Sequence, residues 1–189
     1  GMVCHESYKD QKGNWLYPNE VKKIDTNKVI KISDNSNVQV GPPESMSKSK
    51  KNTIDPETMI DQYGADSVRW FILSDSPPEK DVQWSDAGVS SANKFLQRIW
   101  NLNFSISKRK EKKINENEEK KFNAEINTFV NKIDISIENF RFNVSIAFFY
   151  EVYKIFKDRF ESDLGNKTLK ENIIKIMKLM MPFVPHLSN

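Results

Sequence analysis

Cysteine is almost missing from these 189 residues. Cys4 is the only one, so no internal disulfide can form, and a reducing compartment suits the chain. Histidine is nearly as scarce. His5 adjoins Cys4 and His186 stands far away, too few ligands at the wrong spacing for a structural zinc site, and no metal site is expected in this stretch. No apolar run reaches the ~20 residues of a membrane span, and no signal-peptide pattern opens the chain. The expected location is therefore the cytoplasm, with no membrane partner, and no protein partner is expected either. Glycine is sparse (6) and phenylalanine plentiful (12), which argues against a turn-rich β protein and for helices with aromatic cores. A dominant charge sign is also lacking. Lys and Arg number 29 against 26 acidic residues, a net +3, which permits nucleic-acid binding without demanding it. No internal repeat and no dinucleotide-type glycine-rich loop occurs.

The length holds one domain or two small ones. The start at Gly1-Met2-Val3 and the stop at Ser188-Asn189, just after a proline-rich helix exit, look cut, so a part of a longer protein is expected. Residues 14–40 lack helical periodicity. Val29-Ile30-Lys31-Ile32 and Val38-Gln39-Val40 read as strands, and Asp34-Asn35-Ser36-Asn37 between them as a turn, which predicts a hairpin. Asp55-Pro56 is a helix start, a capping carboxylate followed by a residue pre-shaped for the first turn. Gly64 ends that helix. A second helix covers "ADSVRWFILSD", with Val68, Phe71 and Ile72 on one side, and Ser76-Pro77-Pro78 breaks it. Asp81 to Trp84 reads as extended.

From Ser85 four amphipathic helices follow. Their stripes are Val89, Ala92, Leu96 and Ile99, with Phe95 and Trp100 beside them; Phe122, Ile126, Phe129, Val130, Ile133 and Ile137; Val144, Phe148, Val152, Ile155 and Phe156; and Leu169, Ile173, Ile176, Met177 and Met180. Steps of three and four residues give each helix one buried face. Short connections predict antiparallel neighbours and a bundle. The aromatic stripes, and Trp70, Trp84 and Trp100 with them, are expected to be packing residues. Ser107 to Lys121 is charged and of mixed sign, compatible with a solvated loop or with a contact to RNA phosphates.

Chemistry is concentrated in "SMSKSKK", Ser45 to Lys51. Exposed lysines repel one another and serines add nothing to a core, so such a cluster is either solvated surface or a surface that meets negative charge. It lies between a predicted hairpin and a capped helix, where a lysine can swing onto a phosphate and withdraw. Phosphoryl chemistry needs positive charge where negative charge develops, and a compact ammonium on a flexible stem supplies it. Met46 is the one apolar residue from Glu44 to Asn52, so the loop is expected to be poorly ordered until ligand closes on it.

"SMSKS", Ser45 to Ser49, resembles the KMSKS signature of class I aminoacyl-tRNA synthetases, and the continuation through Leu73 is similar to the segment after it in the leucine, valine, isoleucine and methionine enzymes. "SDSPPEKDVQWSDAGVSSANKFLQRIWNL", the opening "GMVCHESYKDQKGNWLYP" and "MMPFVPHLS" resemble the bacterial leucyl-tRNA synthetases in particular. The resemblance spans nearly the whole chain and is weakest from Lys108 to Lys121. It implies a mainly α fold: residues 1–54 as the end of a catalytic domain with a β-hairpin and the signature loop, 55–87 as a helical connector, and 88–189 as a helical anticodon-binding domain truncated at its C-terminal end.

The resemblance also implies an activity, ATP-dependent activation of leucine and its transfer to tRNA(Leu). Lys48 would be the catalytic residue that stabilises the activation transition state. Ser45, Met46, Ser47, Lys48 and Ser49 would form the ATP-contacting loop, with Mg2+ accompanying the nucleotide. Ser45 departs from the signature, which has a lysine there, and Lys50 and Lys51 are candidates to compensate. The HIGH signature, the leucine pocket and the editing domain of the family are not in this sequence, so the isolated chain is expected to be inactive. Lys94, Arg98, Lys108, Arg109 and Lys110 are candidate RNA contacts, with Arg69 equally suited to a surface ion pair. In leucine enzymes the helical domain generally supports the tRNA body without reading the anticodon. Two alternatives stay open: the same part of a valyl- or isoleucyl-tRNA synthetase, and a non-catalytic tRNA-binding module.

Overall fold

A computed structural model describes residues 1–25 and 28–189. The chain forms two compact units, Gly1–Gln62 with Glu79–Asp86, and Tyr63–Pro78 with Ala87–Asn189.

The first unit is built of short strands. β1 (Val3–His5) runs antiparallel to β7 (Glu44–Ser45), with Cys4 opposite Ser45, and parallel to β8 (Val82–Gln83). β2 (Tyr8–Lys9) lies between β3 (Trp15–Leu16) and β6 (Gln39–Val40), both antiparallel. β4 (Val21–Asp25) pairs antiparallel with β5 (Lys28–Lys31). Tyr8, Leu16 and Val29 form a small buried core, with Val21 and Val38 against it.

The expected hairpin is corrected here. The turn at Asp34 exists, since the Asp34 carboxylate accepts from the Ser36 amide (2.9 Å) and hydroxyl (2.6 Å). Yet the second arm leaves after one bridge, Ile30 to Asn37, and Val40 pairs instead with Tyr8. The ladder partner of β5 is β4. Alternating apolar residues fix which face a strand buries, not which strand it pairs with.

α1 (Pro56–Tyr63) starts as expected. The Asp55 carboxylate accepts from the Thr58 hydroxyl at 2.6 Å and from the amides of Glu57 and Thr58. Gly64, at φ 81°, turns the chain into α2 (Ala65–Asp75), a left-handed conformation that glycine adopts without a Cβ penalty.

The second unit is helical: α2, α3 (Asp86–Lys108), α4 (Glu116–Glu138), α5 (Phe142–Arg159), α6 (Asn166–Met180) and the short α7 (Pro185–Ser188). Trp70 is fully buried, with ring centroids of Phe95, Phe149 and Phe183 at 5.3, 5.8 and 6.2 Å, and its indole N–H donates to the Tyr150 hydroxyl at 3.2 Å. Phe122 and Phe156 meet edge to face at 5.3 Å. Rings of this size bury roughly 150–250 Å² each, so they dominate the packing of the bundle.

Helix ends are tied by polar groups. Asn115 caps α4 through the amides of Asn117 and Glu118. Glu119 of α4 reaches the start of α6, accepting from the Gly165 amide (3.0 Å) and the Thr168 hydroxyl (2.7 Å). The Asp66 carboxylate accepts from His186 Nδ1 (2.9 Å) and the Leu187 amide (2.7 Å), which fixes α7.

Two packing expectations need correction. α5 buries Ile146, Phe149, Val152 and Phe156, while Val144 and Phe148 are only half-buried. The helix is apolar on several sides, and periodicity cannot choose the face when neighbours on both sides of the stripe are also apolar. Trp100 is 62% exposed, not a packing residue, whereas Trp70 and Trp84 are buried.

Candidate functional site

The lysine-serine loop starts from the edge strand β7. The Met46 amide donates to the Val3 carbonyl (3.2 Å), and a 3₁₀ turn spans Lys48–Lys50. Lys51 closes it at φ 52°, left-handed and followed at once by Asn52. The Ser47 and Ser49 hydroxyls hydrogen-bond each other at 2.7 Å. Sequence reasoning found only Met46 as an anchor. The structure adds a polar one, Asn52, fully buried just past the turn and bonded back to the Ser47 amide at its entry and to the Glu44 carbonyl of β7. Asparagine is so common in turns that its type alone gave no signal.

The three lysines of the loop have different surroundings. Lys50 pairs with Glu44, and its ammonium holds the Glu44 carboxyl below the usual carboxylate range. The Lys51 ammonium lies 5.1 Å from the centroid of the Tyr17 ring, a cation–π contact. Lys48 is exposed and lines a cleft of about 580 Å³ with Tyr17, Thr53, Asp55, Thr58 and Met59. A cationic group on a flexible stem at the edge of an open cleft suits an anionic ligand. Ser45 stands in β7 opposite Cys4, with its neighbour Glu44 already taking Lys50, so that lysine is engaged rather than spare for the missing charge.

On the helical unit, Lys94 and Arg98 are one turn apart on α3 and both exposed. Trp100 and Phe104, 62% and 59% exposed, continue the solvent side of the same helix, and the Lys108 ammonium lies 5.8 Å from the Phe104 ring centroid. Lys110 is exposed.

Arg109 has a different task from the one expected. Its guanidinium donates to the carbonyls of Phe160 (2.8 Å), Leu164 (2.8 Å) and Ser162 (2.7 Å) and to Asn166 Oδ1 (2.7 Å). Those bonds close the α5–α6 turn and leave the group committed there, not open to a phosphate. Lys112 likewise reaches Glu161, and the Asn115 amide reaches the Asp163 carbonyl at 2.9 Å. The charged stretch after α3 is therefore stitched to that turn rather than freely solvated. Arg69 donates to the carbonyls of Pro182 (2.6 Å) and Phe183 (3.1 Å), which ties α2 to the segment before α7.

Comparison with known proteins agrees with this geometry. The family of class I tRNA synthetases for isoleucine, leucine, methionine and valine matches residues 32–85, and the anticodon-binding domain of tRNA ligases matches residues 119–189. Leucine–tRNA ligase of Wolbachia pipientis wMel is 37% identical over 191 aligned residues, covering all of this chain and 22% of the relative; that of Zymomonas mobilis is 38% identical over 188, covering all of this chain and 21% of the relative. Among solved structures, the ternary LeuRS–tRNA–LeuAMS complex of Agrobacterium radiobacter K84 superposes with a TM-score of 0.66 at 23% identity, over 77% of this chain and 20% of that one. The free methionyl-tRNA synthetase of Mycobacterium tuberculosis gives 0.55 at 15% identity, over 71% of this chain and 33% of that one, and both show a shared fold. The chain belongs to the class I tRNA synthetases. Within that class it is a segment of the leucine–tRNA ligase kind, spanning about a fifth of the length of the curated relatives it matches.

Proposed function

We propose that this segment supplies a leucine–tRNA ligase with the loop that contacts ATP and with helices that hold tRNA(Leu). In the parent enzyme the leucine carboxylate attacks the α-phosphorus of ATP. The bond to the bridging oxygen breaks, leucyl-adenylate forms, and pyrophosphate leaves with the Mg2+ that accompanied the nucleotide. Lys48 offers its ammonium to the phosphate oxygens as charge shifts onto the leaving group. Ser45, Met46, Ser47 and Ser49 shape the loop around it. The tRNA terminal adenosine then accepts the leucyl group, and AMP is released. Residues 1–54 serve as the closing part of the catalytic domain, 55–87 as a connector and 88–189 as the tRNA-holding domain, acting in the cytoplasm. Lys94, Arg98, Lys108 and Lys110 meet phosphates.

The observation that carries this reading is the sorting of the loop lysines: Lys48 lines the open cleft, while Lys50 is paired with Glu44 and Lys51 lies over the Tyr17 ring at the cleft wall. Amino-acid-dependent pyrophosphate exchange by the full-length protein tests it. Leucine should support exchange, and valine and isoleucine should not. Exchange driven by valine or isoleucine would assign the segment to another branch, and no exchange with any amino acid would leave a tRNA-binding module. The isolated chain should show none, because the rest of the reacting geometry lies outside it.

A further inference from the structure

We infer that Asn52 is a positioning residue for Lys48, a role that rests on the proposed part of Lys48 in activation. The Asn52 side chain is fully buried, although it is polar and sits in a loop. Its Oδ1 accepts from the Ser47 amide at 2.8 Å. Its Nδ2 donates to the carbonyls of His5 and Glu44, each at 3.2 Å, with the Ser45 carbonyl at 3.4 Å. One amide group thus fastens the entry of the turn, its exit and strand β1 at a single point.

The consequence falls on Lys48. Residues 48–51 form a small ring closed by the Ser47–Asn52 bond, and Lys48 is the first residue after the fixed amide. A lysine stem is flexible, so the protein sets the reach of the ammonium chiefly by fixing the backbone it grows from. No apolar packing does this, since no residue of the 3₁₀ turn is buried. The task needs an amide side chain. An acceptor must face the Ser47 N–H while donors face carbonyl oxygens on the other side, and only Asn offers both at this length. Aspartate has the same shape but would set a carboxylate against the carbonyls of His5, Glu44 and Ser45 and supply no donor.

The test is a double-mutant cycle in the full-length enzyme, read by leucine-dependent pyrophosphate exchange. Asn52→Asp should lower kcat for activation by about 10²-fold, the scale of a displacement of about 1 Å at a reacting group, with KM for leucine unchanged. In a Lys48→Ala background the same substitution should cost almost nothing more, because the group it positions is gone. Multiplying losses would show that Asn52 acts independently of Lys48 and would overturn the inference. If Asn52→Asp also abolishes leucine binding, Asn52→Ser, too short to span to Ser47, goes through the same cycle, and additive losses there overturn it equally. An unchanged rate for Lys48→Ala alone would instead defeat the underlying role of Lys48, a distinct failure.

Discussion

The two units are held together by different physics. The strand unit has sheets of two to five residues per strand and a small buried cluster of Tyr8, Leu16 and Val29, and its functional loop is tied by directional polar bonds from Asn52. The helical unit is packed by rings, with Trp70, Phe122, Phe149, Phe156 and Phe183 all but fully buried. Polar stitches fix the backbone of the turn while leaving its lysine stems free to meet a ligand, each bond netting only about 1 kcal/mol. Packed rings leave no such freedom, because any displacement opens a cavity. The difference suits the proposed division: a loop that must close on a nucleotide, and a platform that must present a fixed face to tRNA.

The contrast is tested first where it is largest. Trp70→Ala should destabilise the helical unit by about 3–5 kcal/mol in denaturant unfolding, the usual cost of emptying a core ring site. Trp100→Ala, at an exposed position of the same residue type, should change stability by less than about 0.5 kcal/mol. Similar losses for the two would mean that Trp100 is covered and that burial has been misassigned.

Arginine and lysine sharpen it next. Arg109→Met removes four bonds that close the α5–α6 turn and should cost about 2 kcal/mol, with the salt dependence of tRNA binding by the full-length enzyme unchanged. Lys94→Ala should do the reverse, leaving stability alone and reducing the slope of log K against log salt by roughly 0.7–0.9. A reduced slope for Arg109→Met would return that residue to the RNA face.

The smallest effect lies in the loop. Lys50 holds the Glu44 carboxyl below its ordinary range. The pair is therefore intact at neutral pH and is lost only as pH falls through the depressed value. An NMR titration of the Glu44 carboxyl should show a midpoint below that of an ordinary glutamate, returning upward in Lys50→Ala. Identical midpoints would remove the pairing.

Much of the helical unit was legible in the sequence, because amphipathic periodicity is a local property. The stripes of α3 and α6 are largely buried as read, with Val89, Ala92, Phe95, Leu96, Ile99, Leu169, Ile173, Ile176 and Met180 inside and Met177 half-buried. The α5 face was misread because apolar residues surround it on several sides. Strand partners were not legible: β5 pairs with β4 and Val40 with Tyr8, choices made by contacts remote in sequence. At the site, the signature residues could be found by resemblance, but the partners that set the lysines apart could not. Glu44, Tyr17 and Asn52 lie 6, 34 and 1 residues from the lysines they pair with or adjoin, and only Asn52 is a neighbour along the chain. The engagement of Arg109 by carbonyls some fifty residues away was equally hidden.

The central claim is that one lysine of three faces the chemistry. Lys48→Ala, Lys50→Ala and Lys51→Ala in the full-length enzyme, compared side by side for leucine-dependent pyrophosphate exchange, test it most directly. Lys48→Ala should lose roughly 10²–10³-fold, the scale of removing one transition-state donor, with only several-fold effects for the other two and leucine binding unaltered. An unchanged rate for Lys48→Ala, or equal losses for all three, would contradict the claim.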